Sequence, residues 1–152
     1  MIKKLLTEDL VKVNIKASNW EDAVRKAGEL LYINNKVEKS YIDAMVKTVE
    51  SMGPYIVMAP GIAMPHARPE DGAKDIGLAI ISLEKPVNFG SDDFDPVKLV
   101  IALCASESKV HIELLKDLSN VLDDEDLINK LDNCKSDKDL RNLIIESYMK
   151  NK

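Results

Sequence analysis

The chain has two histidines, His66 and His111, in settings that suit group-transfer chemistry. His66 lies in the segment Pro60–Pro69, whose prolines and glycine exclude a helix and predict a stiff loop that holds the ring in a fixed pose. His111 lies in the first turn of a predicted helix that directly follows a buried strand. This is the sheet edge at which open α/β folds bind ligands. A neutral imidazole can attack phosphorus there if hydrogen-bond donors surround the phosphoryl oxygens.

Positive charge near both histidines predicts an anion site. The helix N-terminus at His111 has unpaired N–H groups and a partial positive charge, which attract phosphate and keep the imidazole neutral near physiological pH. Arg68 follows His66 closely and has a permanent charge that can hold phosphate through two hydrogen bonds. Each residue also has an ordinary interpretation: His66 as a surface histidine, His111 as a residue at the start of a helix, and Arg68 as a solvated arginine. Their spacing in the sequence does not show that the three side chains meet in space.

Other reactive patterns are weaker. The segment Cys104–Val110 has the outline of a phosphatase loop, but valine stands where the arginine is needed, so Cys104 is predicted to be a buried strand residue. The acidic run Asp123–Asp126 lacks the spacing of a calcium loop and fits a helix N-terminus. The sequence contains neither a metal-binding histidine motif nor a glycine-rich phosphate loop, which argues against a metal centre and against a nucleotide-dependent kinase.

Interleaved helix and strand patterns predict an α/β sandwich, in which a mixed sheet has helices on both faces. Two nearly continuous apolar runs, Ile76–Leu83 and Val97–Ala105, predict strands that are covered on both sides. A shorter strand is predicted at 10–15. The segment Ser18–Glu21 has a capping-box pattern that starts a helix, and a second helix starts near Ser40 and ends at Gly53-Pro54.

The last third of the chain is predicted to be helical, because its apolar residues recur at helical spacing. The predicted buried faces are Ile112, Leu115, Leu118 and Leu122 in a helix beginning near Ser108; Leu127, Ile128 and Leu131 in a short helix; and Leu140, Leu143 and Ile144 in a last helix that Ser136–Asp139 caps.

The chain has 152 residues, a net charge of −5 and 45% hydrophobic residues, which fits one soluble globular domain. The acidic balance and the lack of a Lys/Arg cluster argue against nucleic-acid binding and favour partners with positive patches. The apolar stretch Met1–Leu6 is too short for a secretory signal, and no segment reaches the roughly 20 apolar residues that span a bilayer. With two cysteines and no CxxC pair, the sequence predicts a cytoplasmic protein with reduced thiols.

The segment Gly61–Ala67, with the sequence Gly-Ile-Ala-Met-Pro-His-Ala, resembles the phosphorylation motif of the fructose/mannitol-type (type-2) EIIA components of the bacterial phosphotransferase system (PTS). The similarity extends from Leu5 to Tyr148, so residues 5–148 are expected to form a single EIIA domain. The longer strings Gly53–Gly72 and Pro86–Ser91 are most similar to the ascorbate-specific branch.

The resemblance implies a mixed β-sheet flanked by helices and a phosphocarrier function in sugar uptake. It implies that His66 accepts a phosphoryl group from phospho-HPr and passes it to a cysteine of an EIIB protein, which serves a membrane EIIC transporter. It implies that His111 is the second active-site histidine, which orients and stabilises the phosphoryl group. No metal or organic cofactor is implied. Two proteins must dock in turn around His66, so a shallow apolar surface is expected there, and Ile62, Met64 and Ala67 either form part of it or pack within the loop.

One position departs from the family pattern. Mannitol-type members have an arginine where this chain has Glu50, and a glutamate cannot hold phosphate. We therefore expect Arg68 to replace that charge, unless the ascorbate-like proteins work without it. Two other classes stay open, namely a regulatory IIA-like protein that acts by phosphorylation-dependent binding and a binding module that is never phosphorylated. The sugar also stays open between ascorbate, a pentitol and another unusual carbohydrate.

Overall fold

A computed structural model of the protein describes residues 2–150, apart from the side chain of Pro54. Met1, at the start of the first apolar stretch, lies outside these residues. The helices and strands are α1 (Ile2–Leu5), β1 (Val11–Ile15), α2 (Trp20–Ile33), α3 (Lys39–Met52), β2 (Val57–Ala59), β3 (Ile62–Ala63), β4 (Gly77–Val87), β5 (Val97–Cys104), α4 (Ser108–Leu122), α5 (Leu127–Lys130) and α6 (Asp137–Lys150). Within residues 2–150, no helix is long and apolar enough to cross a membrane.

The strands form one mixed five-stranded sheet in the order β1-β4-β5-β3-β2. The two long apolar strands, β4 and β5, pair antiparallel at its centre. Strand β1 pairs parallel with β4, and β3 pairs parallel with β5. The short β2 completes the sheet as the antiparallel partner of β3. The predicted mixed sheet is therefore confirmed, with β5 between β4 and β3.

Helices cover both faces of the sheet, as the apolar runs of β4 and β5 predicted. Successive side chains of a strand point to opposite faces, so β5 contributes to two separate cores. Val100 and Ala102 pack with α2 and α3 on one face, whereas Ile101 and Leu103 pack with α4 and α6 on the other. The result is a three-layer arrangement with helices, sheet and helices in turn.

Helix α2 is capped one residue later than the sequence pattern predicted. Asn19 is the N-cap, because its side-chain oxygen accepts a hydrogen bond of 2.8 Å from the N–H of Asp22. The Asp22 carboxylate in turn accepts a hydrogen bond of 2.9 Å from the N–H of Ser18. Glu21 instead forms an ion pair with Arg25 at 3.4 Å. The capping acid is therefore Asp22 and not Glu21.

The segment between α3 and His66 contains two short strands that the sequence did not predict. Pro60-Gly61 forms the turn between β2 and β3, and Gly61 has a φ of 77°, a conformation that glycine adopts readily. The Gly61 carbonyl accepts hydrogen bonds from the N–H groups of Lys98 and Leu99, at 2.8 and 3.0 Å. Strand β3 thus lies beside β5 and leads the chain directly to His66.

Helix α4 begins at Ser108 as predicted, but its predicted buried face is partly wrong. Leu118 is buried, together with Leu114 and Val121, whereas Ile112 is 54% exposed. The core face of α4 is set by its packing against α6 and α1, and Ile112 lies off that face. The short helix α5 and the cap of α6 agree with the sequence, since the Ser136 hydroxyl accepts a hydrogen bond of 3.1 Å from the N–H of Asp139.

Candidate functional site

His66 lies in the loop that follows β3, and its imidazole is fixed by its own backbone. The ring nitrogen Nδ1 lies 2.8 Å from the carbonyl oxygen of Met64. A carbonyl oxygen only accepts hydrogen bonds, so Nδ1 has the proton and donates it. In the neutral ring, Nε2 then has the lone pair. Among residues 2–150, no group hydrogen-bonds to Nε2. The loop therefore presents a half-buried ring with one nitrogen free to react.

His111 approaches His66 from the first turn of α4. The two ring centroids are 5.2 Å apart, and the planes meet edge to face at 64°. The Nδ1 atom of His111 is buried and has no hydrogen-bond partner among the described residues. Burial lowers the pKa of His111, and the nearby His66 lowers it further by charge repulsion. The sequence predicted a neutral His111 because of the helix N-terminus, whereas the main cause of its lowered pKa in the structure is burial.

The two histidines share a shallow pocket of about 300 Å³. Its lining residues are Thr48, Met52, His66, Ala67, Arg68, Pro69, Ser108, His111 and Ile112. Two large apolar side chains stand at this pocket with much of their surface in solvent, Met52 at 42% and Ile112 at 54%. Such surface next to a reactive ring is suited to contact with another protein.

The N-terminus of α4 opens on the same pocket through Ser108. The N-cap residue is Glu107, and its side chain makes no capping hydrogen bond. The first helical hydrogen bond runs from the N–H of His111 to the carbonyl of Glu107, at 3.0 Å. The N–H groups of Ser108, Lys109 and Val110 therefore have no partner within the helix, and such groups bind anions.

A family model described as "Phosphoenolpyruvate-dependent sugar phosphotransferase system, EIIA 2" matches residues 4–147. The chain belongs to this family. An "Ascorbate-specific PTS system EIIA component" of Shigella boydii is 37% identical to this EIIA over 135 residues, which are 88% of either chain.

Solved structures of EIIA proteins share the fold of this EIIA. The mannitol-specific cryptic phosphotransferase enzyme IIA of Escherichia coli is 34% identical, with a TM-score of 0.84 over 95% of this chain and 98% of that one. The mannitol enzyme IIA of Escherichia coli, in its complex with phosphorylated enzyme IIB, is 29% identical, with a TM-score of 0.79 over 93% of this chain and 97% of that one. The family and the fold predicted from sequence are thus confirmed, and this EIIA is a phosphocarrier component of sugar uptake.

Arg68 reaches the pocket of this EIIA, but its charge already has a partner. The side chain is 75% exposed, and its guanidinium lies 3.4 Å from the carboxylate of Asp71. The backbone N–H of Arg68 donates to the same carboxylate at 2.9 Å, which together with the guanidinium lowers the pKa of Asp71. An exposed ion pair of this kind is weak. Arg68 can therefore exchange Asp71 for a phosphoryl group, whereas Glu50 is exposed on α3 and does not line the pocket.

Of the two alternatives for Ile62, Met64 and Ala67, packing is the one that the structure shows, although Ala67 also lines the histidine pocket with its small exposed surface. Ile62, Met64 and Ala67 are all buried. Ile62 and Met64 belong to the core on the α4 side of the sheet, and Ala67 belongs to the core on the α3 side. The sequence missed Met52 and Ile112, which provide apolar surface at the pocket instead. Met52 ends α3 next to Gly53, a position that could have indicated exposure.

The other groups that the sequence singled out as reactive do not line the histidine pocket. Cys104 is buried as predicted, and burial raises the pKa of its thiol to about 12, so it is no nucleophile. Asp126, at the end of the acidic run, is the N-cap of α5. Among the described residues, no cluster of His, Cys, Asp and Glu could hold a metal ion.

A larger cleft of about 670 Å³ lies at the opposite end of β5 from the histidines. Asp93, Asp95 and Asp123 are among its lining residues, so its charge disfavours phosphate. Its lysine, Lys98, lies 3.9 Å from the carboxylate of Asp132. The smaller histidine pocket is therefore the better site for phosphoryl chemistry.

Proposed function

We propose that this EIIA accepts a phosphoryl group on Nε2 of His66. The proposal rests on the 2.8 Å hydrogen bond between His66 Nδ1 and the Met64 carbonyl. That bond selects the tautomer in which Nε2 has a lone pair and orients the ring. A nucleophile that is already oriented needs little rearrangement to reach in-line geometry.

The transfer occurs in two displacements at phosphorus. In the first, Nε2 of His66 forms a bond to the phosphorus of phospho-HPr while the bond from phosphorus to the donor histidine breaks. In the second, the thiolate of an EIIB cysteine attacks, and the bond from phosphorus to Nε2 breaks. Neither step needs an oxidant, a reductant or a further reactant. Positioning and charge stabilisation account for most of the catalysis.

His111 stabilises the phosphoryl oxygens as a neutral donor. Its lowered pKa keeps the ring uncharged, and a neutral ring has one N–H to donate. His111 lines the same pocket as His66, so the N–H of its neutral ring is available to a phosphoryl oxygen bound there. The free N–H groups at the start of α4 and the Arg68 guanidinium add positive charge around the same oxygens.

The donor is phospho-HPr, and the acceptor is an EIIB protein that serves a membrane EIIC transporter. Both dock in turn on the exposed side chains of Met52 and Ile112. Ascorbate is the sugar, as supported by the name of the 37% identical relative from Shigella boydii. The protein acts in the cytoplasm, and residues 5–148 form its single EIIA domain.

The first experiment measures intact mass after incubation with phosphoenolpyruvate, enzyme I and HPr. We expect the gain of one acid-labile phosphoryl group, which His66→Ala abolishes. The His111→Ala variant should still gain the group, but more slowly, because it keeps the nucleophile and loses the donor. If the wild-type protein gains no mass with a donor pair that phosphorylates another EIIA, direct transfer from HPr is excluded.

A second experiment tests the sugar branch. The phosphorylated protein is mixed with the EIIB of an ascorbate system or with the EIIB of a mannitol system, and phosphoryl transfer to each cysteine is timed. Faster transfer to the ascorbate EIIB is expected. A preference for the mannitol EIIB would overturn the ascorbate assignment and leave the carrier function intact.

A further inference from the structure

A buried tyrosine lies beneath the phosphorylation loop, and the chemistry at His66 and His111 does not use it directly. Tyr41 is in the first turn of α3, with none of its surface exposed. Burial raises the pKa of its phenol far above the ordinary value, so the hydroxyl keeps its proton. The hydroxyl group is therefore available as both a donor and an acceptor.

The Tyr41 hydroxyl joins two segments of backbone. It accepts a hydrogen bond of 3.0 Å from the N–H of Ala67, the residue after His66. It lies 2.9 Å from the carbonyl oxygen of Leu103, near the end of β5, and 3.2 Å from the carbonyl oxygen of Ala67. A hydroxyl has one proton to donate, and the shorter distance favours Leu103.

Leu103 is also connected to the other side of His66. Its N–H donates to the carbonyl of Pro65 at 3.3 Å. Both neighbours of His66 are thus connected to one residue of β5, Pro65 directly and Ala67 through the phenol. Because β5 leads into α4, the same residue lies a short stretch of chain before His111.

We propose that Tyr41 is a positioning residue for phosphoryl transfer, whose hydroxyl sets the spacing between the His66 loop and the strand that leads to His111. This inference rests on the proposed carrier function of His66. The Ala67 N–H is buried with the phenol, and without it that N–H would lack its partner. The loop would then move to find another partner, and His66 would move with it.

The test is Tyr41→Phe, which keeps the ring in the core and removes the oxygen. The rate of transfer from phospho-HPr should fall about tenfold to 100-fold, the size of effect expected from a small misplacement of the reacting group. The KM for phospho-HPr should change little, because the docking surface is untouched. The NMR cross-peaks between the His66 and His111 rings should weaken.

Ser82→Ala is the matched control. The buried Ser82 hydroxyl accepts a hydrogen bond of 2.8 Å from the N–H of Asn14, so this variant also leaves a backbone N–H unpaired, but at the β1 edge of the sheet. It should lower stability without slowing transfer. An unchanged rate and unchanged ring cross-peaks in Tyr41→Phe would overturn the proposal, and so would an equal loss of rate in Ser82→Ala.

Two further measurements keep the inference separate from folding and from the carrier function. If Tyr41→Phe does not fold, hydrogen exchange of the Ala67 backbone N–H in the wild type tests the proposal instead. The proposal requires slow exchange, and exchange at the rate of an unprotected amide overturns it. If the wild type takes no phosphoryl group from HPr, the carrier function fails. The ring cross-peaks of the Tyr41→Phe variant then still show whether the hydroxyl sets the spacing.

Discussion

The imidazole rings of His66 and His111 lie edge to face with their centroids 5.2 Å apart. One ring comes from the loop after β3 and the other from the first turn of α4, so sheet and helix packing set the distance. At this separation, positive charge on one ring disfavours positive charge on the other. A phosphoryl group between them would reverse the sign of that effect, because its negative charge favours a protonated neighbour.

Replacing His66 by glutamine should raise the pKa of His111. The repulsion from His66 disappears, but burial, the larger cause of the lowered pKa, remains. The pKa of His111 should therefore rise while staying below its ordinary value. Titration of the His111 ring by NMR measures this directly. An unchanged or lower pKa would show that the rings do not interact electrostatically.

The stability of the protein should fall on mild acidification because of His111. Its pKa is lower in the folded chain than the ordinary value of 6.5, so between these two values the unfolded chain binds more protons. The contribution of the neutral ring is complete above the ordinary value and is lost as the pH falls through this window. Urea unfolding between about pH 7.5 and 5.5 measures the loss. The His111→Gln variant should show a flatter dependence, and an equal slope in both proteins would exclude His111 as the cause.

Arg68→Ala should slow phosphoryl transfer about threefold to tenfold, because solvent screens the charge of so exposed a side chain. Arg68→Lys should recover part of the rate, since it restores the charge without the planar pair of donors. Arg25→Ala is the control, because Arg25 is also an exposed, ion-paired arginine but lies on α2. The same rate in Arg68→Ala and wild type would mean that the charge missing at Glu50 is not replaced by Arg68.

Ile112→Ser should weaken docking of the phosphoryl donor. The side chain is largely exposed beside His111, and loss of an apolar contact at the centre of an interface should raise the KM for phospho-HPr about tenfold, with little change in kcat. Ile33→Ser removes another largely exposed isoleucine, at the end of α2 and outside the pocket, and should have no effect on KM. Equal KM values for all three proteins would place the docking surface elsewhere.

Much of the fold could be predicted from the sequence, because its main signals are local. The apolar runs of β4 and β5 indicated strands covered on both faces, and the helical spacing before Gly53 indicated α3. The β2–β3 hairpin was missed because Pro60-Gly61 was interpreted as part of a loop, whereas it forms the turn between two strands. These short strands are defined by pairing, β3 with β5 and β2 with β3, and the pairing with β5 is a long-range relationship that has no local pattern.

The site could be predicted in part. The family motif pointed to His66 and His111, but which apolar residues surround them depends on tertiary packing. Met64 and Ala67 look like surface residues because they flank an active loop, yet they fill the two cores. Tyr41 gave no signal at all, because its sequence position fits an ordinary buried residue of α3. Its hydroxyl matters only through Ala67 and Leu103, which lie far from it along the chain.

The hydrogen bond from His66 to Met64 has a consequence for kinetics. With Nδ1 engaged, the proposed transfer has Nε2 as the one ring nitrogen that receives the phosphoryl group and releases it. Donor and acceptor must therefore approach along the same line and occupy the same patch, so no ternary complex forms. The reaction is then ping-pong, and unphosphorylated EIIB competes with phospho-HPr for the empty carrier. An excess of unphosphorylated EIIB would consequently slow the transfer of phosphoryl groups from HPr through this EIIA to EIIB.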